Sequence, residues 1–146
     1  MADQVPCAAA DQIEKELDGQ YCLKKVEEMI ALAYDIIPHW PPVFRYSRGE
    51  RIFNLLFEMQ ELCVAGHLKY FKKTTLQDLD IKNHQLRLAV RGARRKAYTD
   101  KGNNRKHLLT PGAYEQWAKL SLETGCLIGG WMESVKDKKY SAYLPS

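Results

Sequence analysis

From Tyr21 the apolar positions Cys22, Val26, Met29, Ile30, Ala33, Ile36 and Ile37 recur at spacings of three and four, with Lys24, Lys25, Glu27 and Glu28 between them. Because a helix turns about 100° per residue, this spacing predicts an amphipathic helix with one face in a core. Pro38 ends it, and the linker His39-Trp40-Pro41-Pro42-Val43-Phe44 is read as rigid, since the prolines at 38, 41 and 42 fix φ and disfavour helix in the residue before each. Ser47, with Glu50 three residues on, has the spacing of a capping box and predicts the start of a second helix. Its core stripe is Ile52, Leu55, Leu56, Met59, Leu62, Cys63 and Gly66, while Phe53, Phe57 and Val64 widen the apolar arc to about 220° on a 100° wheel. Such a helix meets more than one neighbour.

A third helix follows an N-cap at Thr74 or Thr75, with Leu79, Leu86, Val90, Ala93 and Ala97 facing the core. Ile81, Leu88 and Gly92 form a second apolar strip, which fits either a subunit contact or the scattered surface apolars common in monomers. Asp100 to Asn104 is a turn cluster. Thr110-Pro111 is an N-cap followed by proline at the first helical position, opening a fourth helix with Tyr114, Trp117, Leu120, Ser121, Thr124, Leu127, Ile128, Trp131 and Val135 along one face. Gly125, Gly129 and Gly130 weaken that helix, so another backbone is expected close by. Four helices, no strand pattern and short connections predict an all-α, up-down-up-down four-helix bundle over residues 21–136. Residues 1–20 form an acidic extension, read as a frayed helix or tail interrupted at Gly19, and 137–146 a short polar, mobile tail.

Charge changes this picture. The net charge is only +4, but residues 69–106 hold twelve Lys and Arg against three acids, leaving the remainder at −5. The centre of this segment is Thr74 to Lys106, where Arg87, Arg91, Arg94 and Arg95 share one flank of the third helix and lead into a basic loop with Lys101, Arg105 and Lys106. Together with Lys72 and Lys73 these are the candidate binding residues. Segregated charge of one sign points to a polyanionic or acidic partner; the alternative is a solvated face. Tyr70, Phe71 and Tyr98 are interleaved with these cations and could stack on a single-stranded nucleic acid. Trp117 and Trp131, fourteen apart, read as core.

No route to catalysis is assembled. The four histidines make no HExxH and no di-iron Glu-x-x-His set, and phosphate-loop and nucleophile-elbow motifs are absent. Asp80 and His84, four apart, read as a surface contact rather than a metal pair. No metal, cofactor or enzymatic activity is expected. The four cysteines, without a CxxC pair or signal peptide, read as reduced, with Cys22, Cys63 and Cys126 as buried small hydrophobes. No apolar run approaches the roughly 20 residues of a membrane span. A soluble, cytoplasmic protein is expected.

Three segments carry a family resemblance: L-S-L-E-T-G-C-L-I-G-G-W-M-E-S (residues 120–134), R-Y-S-R-G-E-R-I at 45–52 with L-L-F-E-M-Q-E-L-C-V-A-G at 55–66, and the arginine series of the third helix. In this order and spacing they resemble the accessory variability determinant (Avd) proteins of diversity-generating retroelements, across residues 21–136. A related bundle family, encoded in intervening sequences of ribosomal RNA genes, carries S-I-P-x-N-I-A-E-G in its second helix, where this chain has Leu62-Cys63-Val64-Ala65-Gly66. The resemblance implies a four-helix protomer assembling into a homopentameric ring or barrel, encoded by a bacterium or phage. It implies a non-catalytic partner that binds the element's reverse transcriptase and template RNA during adenine-directed, mutagenic cDNA synthesis and retrohoming. Arg87, Arg91, Arg94 and Arg95 would then be the principal binding residues, and Phe53, Phe57, Ile81, Leu88 and Gly92 the subunit interface. The alternative is a free-standing RNA-binding bundle, ribosome- or rRNA-associated. A neighbouring reverse transcriptase gene would separate the two.

Overall fold

The computed structural model describes residues 4–18 and 20–143, with side chains described for 8–17 and 20–135. The expected break at Gly19 and the last three residues of the tail lie outside the described residues. The chain is all-α in its main body: α1 (Gln4–Asp18), α2 (Tyr21–Ile36), a single turn α3 (Pro42–Phe44), α4 (Glu50–Leu68), α5 (Lys73–Arg95) and α6 (Pro111–Tyr143). α4 packs on α2 and α5, and α6 packs on α5 and α2, so these four helices close around one core. Cross-contacts show alternating directions. Cys22 at the start of α2 meets Cys63 near the end of α4, Gly66 of α4 lies beside Leu76 at the start of α5, and Arg87 of α5 bonds Ser121 of α6.

Met29, Val26, Ala33, Leu55, Leu56, Met59, Cys63, Leu79, Leu86 and Ala93 are fully buried, as their helical spacing predicts. Trp117 is buried, and Trp131 is half-buried against Gly66 and the His67 ring, whose centroid lies 4.5 Å away. Burial, then the charge of Lys72, lowers the His67 pKa. Thr110 caps α6 as its sequence predicts, its Oγ1 accepting the Ala113 N–H at 3.1 Å. α6 runs on through Tyr143, beyond the boundary at 136 that the apolar pattern suggests.

Several local expectations fail. Ser47 caps nothing: its Oγ donates back to the Val43 carbonyl at 2.7 Å, within a π-helical turn spanning Arg45–Gly49. Ile37, although it precedes Pro38, lies in a 3-10 turn spanning Ile37–His39, while Trp40 and Pro41 are non-helical and helix resumes at Pro42, where proline at a first helical position costs nothing. α5 starts one residue before Thr74, and the Thr75 hydroxyl instead accepts from Lys69 Nζ at 3.2 Å. Cys126 is exposed, although Cys22 and Cys63 are buried. The strand-free reading is also corrected. The basic loop is a two-stranded antiparallel hairpin of β1 (Ala97–Thr99) and β2 (Arg105–His107), with Tyr98 opposite Lys106.

Candidate nucleic-acid interface

The arginine stripe of α5 divides in two. Arg87 turns inward and is half-buried: its Nε donates to Ser121 Oγ at 2.7 Å and its Nη2 to the Ser121 carbonyl at 3.0 Å. Ser121 Oγ in turn donates to Asn83 Oδ1 at 3.2 Å, and Asn83 Nδ2 donates to the Ser121 carbonyl at 3.1 Å. Gly125 makes room for this network, because a Cβ there would lie 2.7 Å from Arg87 Nη2. The glycine thus serves a guanidinium rather than a passing backbone, and at Gly129 and Gly130 a Cβ would meet open space. Arg94 is tied to the chain as well, donating to the Leu109 carbonyl at 3.2 Å. Arg91 and Arg95 remain on the surface, exposed and with no acid beside them among the described residues.

The hairpin extends this free charge past the end of α5. Asp100 Oδ1 accepts the N–H groups of Asn104 at 2.8 Å and Gly102 at 2.9 Å, and Asn103 takes a positive φ of 62° to close the turn. These amides, the Asn104 N–H first, and the Lys106 ammonium at 3.1 Å hold the Asp100 carboxyl below its ordinary pKa; Asp100 raises that of Lys106. Lys101 and Arg105 are exposed and unpaired among the described residues. The hairpin ladder continues one step toward the helices, the Leu108 N–H donating to the Lys96 carbonyl at 3.1 Å. Trp40 Nε1 donates to the Leu108 carbonyl at 2.8 Å, and the half-buried Tyr98 ring lies 5.8 Å from that of Phe44. Tyr98 is therefore part of the fastening rather than a free stacking face.

Packing adds basic residues that the sequence reading missed. Arg48, from the π-helical turn, lies over Gly92 and donates its Nη1 to the Ala89 carbonyl at 3.2 Å. Arg45 lies 5.6 Å from the centroid of the Tyr46 ring, and Lys96 Nζ 5.6 Å from that of Phe44. The signal was in the R-Y-S-R-G-E-R spacing, three arginines three apart, but a helix-cap reading of Ser47 absorbed it. One end of the molecule thus gathers Arg45, Arg48, Arg95, Lys96, Lys101 and Arg105. Lys72 and Lys73 are not brought there. They stand at the other end of α5, roughly 33 Å away at 1.5 Å per residue, beside the exposed pair Tyr70 and Phe71.

Over residues 21–135 the chain matches the family model described as bAvd-like. It belongs to the bAvd-like family. The family is an accessory, non-catalytic kind of protein, in agreement with the resemblance to accessory variability determinants. No curated protein matches the chain. In this bAvd-like protein α1 precedes the matched span and the hairpin lies within it. Among its described residues no group of three or more His, Cys, Asp or Glu could hold a metal ion, and no helix is long and apolar enough to cross a membrane. Asp80 and His84 make only an exposed contact at 3.8 Å.

The residues expected at a subunit interface fall into two groups. Ile81 and Leu88 are 52% and 68% exposed, and Phe57 is exposed at the edge of a ring series in which Phe53 lies 5.9 Å from it and 4.8 Å from Tyr34. Phe53 itself is half-buried against the core, and Gly92 is covered by Arg48 of the same chain. Gly92 therefore answers an intramolecular need. Leu122 of α6, missed in the sequence, is 63% exposed and lines one groove with Leu88, His84 and Trp117.

Proposed function

We propose that this bAvd-like protein is a non-catalytic accessory subunit of a diversity-generating retroelement, binding the reverse transcriptase and the template RNA through the basic end of its helical body. In this role it supports mutagenic, adenine-directed cDNA synthesis and retrohoming in the cytoplasm of a bacterial cell. The protomer acts as an up-down-up-down four-helix bundle within a homopentameric ring. The carrying observation is the set of exposed cations without acidic partners at one end, Arg91, Arg95, Lys101 and Arg105. Cations left unpaired on a surface are available to phosphate, and their binding is driven by counterion release. Exposed Ile81, Leu88 and Leu122 supply apolar area for contacts between copies, and repetition around a ring would multiply the basic surface.

The test replaces Arg91, Arg95, Lys101 and Arg105 together by Glu, leaving Arg87 and Arg94 untouched because they hold α6 and its approach. Co-purification of reverse transcriptase and RNA should be lost while helicity and oligomer size stay unchanged. Retention of both partners at wild-type levels would refute the reading.

A further inference from the structure

Tyr46 is 72% exposed, and its neighbour Val43 is 67% exposed. In an uninterrupted α-helix Tyr46 would share a face with Gly49 and Phe53, at three and seven residues on. Gly49 is buried, where a Cβ would lie 2.7 Å from Ile37 Cγ2, and Phe53 is half-buried. The π-helical turn Arg45–Gly49 accommodates an extra residue and swings Tyr46 off that inward face. Such turns cost hydrogen-bond geometry and occur disproportionately at functional sites. What this one achieves is a large aromatic ring held in solvent.

The ring's surroundings select its ligand. The Arg45 guanidinium carbon lies 5.6 Å from the ring centroid, yet the guanidinium donates to nothing among the described residues, and its Nε is buried without an acceptor. Arg48 is fixed by its bond to the Ala89 carbonyl, and Lys96 is held over Phe44, whose ring in turn contacts the hairpin. An exposed ring with a guanidinium against it that has no hydrogen-bond acceptor, and further cations nearby, is the composition that takes a nucleobase on the ring and phosphate on the cations. A duplex keeps its bases stacked inside, so the ligand that can use the ring is single-stranded.

We propose that Tyr46, with Arg45 beside it, is a base-stacking site for single-stranded RNA at the basic end of this protein. The site rests on the RNA-binding reading above and adds to it a preference for unpaired segments. The surrounding cations hold any polyanion, whereas Tyr46 contributes only when a base is free to stack.

The experiment measures binding of a fluorescein-labelled 20-nucleotide mixed-sequence RNA and of the same RNA annealed to its complement, with the full-length wild-type protein, Tyr46→Ala and Tyr46→Phe at one salt concentration. Alanine should weaken single-strand binding by on the order of tenfold, as loss of one stacked base does, and leave duplex binding within about twofold. Phenylalanine, which keeps the ring, should restore wild-type affinity. If wild-type binding is strong and salt-sensitive but Tyr46→Ala binds the single strand as wild type does, or loses equally on the duplex, the stacking site is wrong and the RNA-binding reading stands. If the wild-type protein binds neither RNA, both are overturned.

Discussion

Replacing Arg87 by Met separates an arginine that holds the fold from one proposed to bind on the same helix. Met keeps most of the aliphatic stem and removes the guanidinium, so two charge-assisted bonds to Ser121, at 2.7 and 3.0 Å, disappear. Hydrogen bonds to charged groups are worth about 1.5–3 kcal/mol each. Two facts lower the total: Arg87 is only half-buried, and Ser121 keeps Asn83 as partner to both its hydroxyl and its carbonyl. The expected loss is therefore about 1.5–3 kcal/mol for the pair. For a chain near 150 residues, where 1 kcal/mol moves Tm by roughly 2–4 °C, that is a fall of about 3–12 °C. Arg91→Met, at an exposed position without a partner, should stay within about 0.5 kcal/mol of wild type. Thermal unfolding by circular dichroism at one fixed protein concentration measures both, since self-association would make Tm depend on concentration. RNA titration then gives the reverse ranking: Arg91→Met lowers the salt slope by about 0.7 per lost phosphate contact to a single strand, and Arg87→Met does not. An Arg87→Met protein as stable as wild type, or one with a reduced salt slope and unchanged Tm, would refute the division of the stripe.

Three further outcomes are expected. Gly66→Ala places a Cβ 2.7 Å from Trp131 Cη2 and should cost about 1–3 kcal/mol by urea unfolding, whereas Gly129→Ala, which meets open space, should gain about 0.5–1 kcal/mol. A loss at Gly129 only at concentrations where the protein self-associates would mark a contact between copies. Asp100 has a lowered folded pKa, so its contribution is present above the ordinary carboxylate value and is lost as pH falls below about 4. Amide exchange at Gly102 and Asn104, corrected for intrinsic rates, should show the turn loosening over that range in wild type and already loosened at pH 7 in Asp100→Ala. Finally, Ile81→Asp with Leu88→Asp should reduce the sedimenting species to monomer with helicity intact; unchanged sedimentation would remove these two exposed apolar residues from any interface.

The helices were legible because burial enforces their period. Val26, Met29 and Ala33, or Leu79, Leu86, Val90 and Ala93, cannot be rearranged along the chain without exposing apolar surface, so their spacing reports the fold directly. The family resemblance was legible for a related reason: Gly66 and Gly125 lie within its quoted segments, and each clears space for a particular side chain, Trp131 and Arg87. The candidate interface was less legible, because charge carries no period. Arg87 and Arg91 look equivalent on a wheel, and only the position of Ser121, 34 residues further on, tells them apart. The hairpin strands are three residues each, too short for an alternating pattern to emerge. Ser47 shows the same limit from the other side. A capping box and a π-helical turn offer the same hydroxyl different acceptors, and the choice was made by the burial of Gly49 against Ile37 and Trp40.

The acidic helix α1 enters the body at the end opposite the hairpin, where Leu17 lies in a groove with Leu23 and Leu68. It carries four acids against one lysine, while the far end carries the hairpin and the arginines of the π-helical turn. Lys69, Lys72 and Lys73 stand at that same end and offset the net −3 of α1, which leaves the surplus of positive charge at the hairpin end, roughly 24 Å away along α2 at 1.5 Å per residue. On the proposed function, a polyanion would meet the α1 end as nearly neutral and be drawn to the hairpin end. Removing α1 would leave that second set of cations unopposed, and on the same function it would alter the rate of encounter with RNA and its dependence on ionic strength.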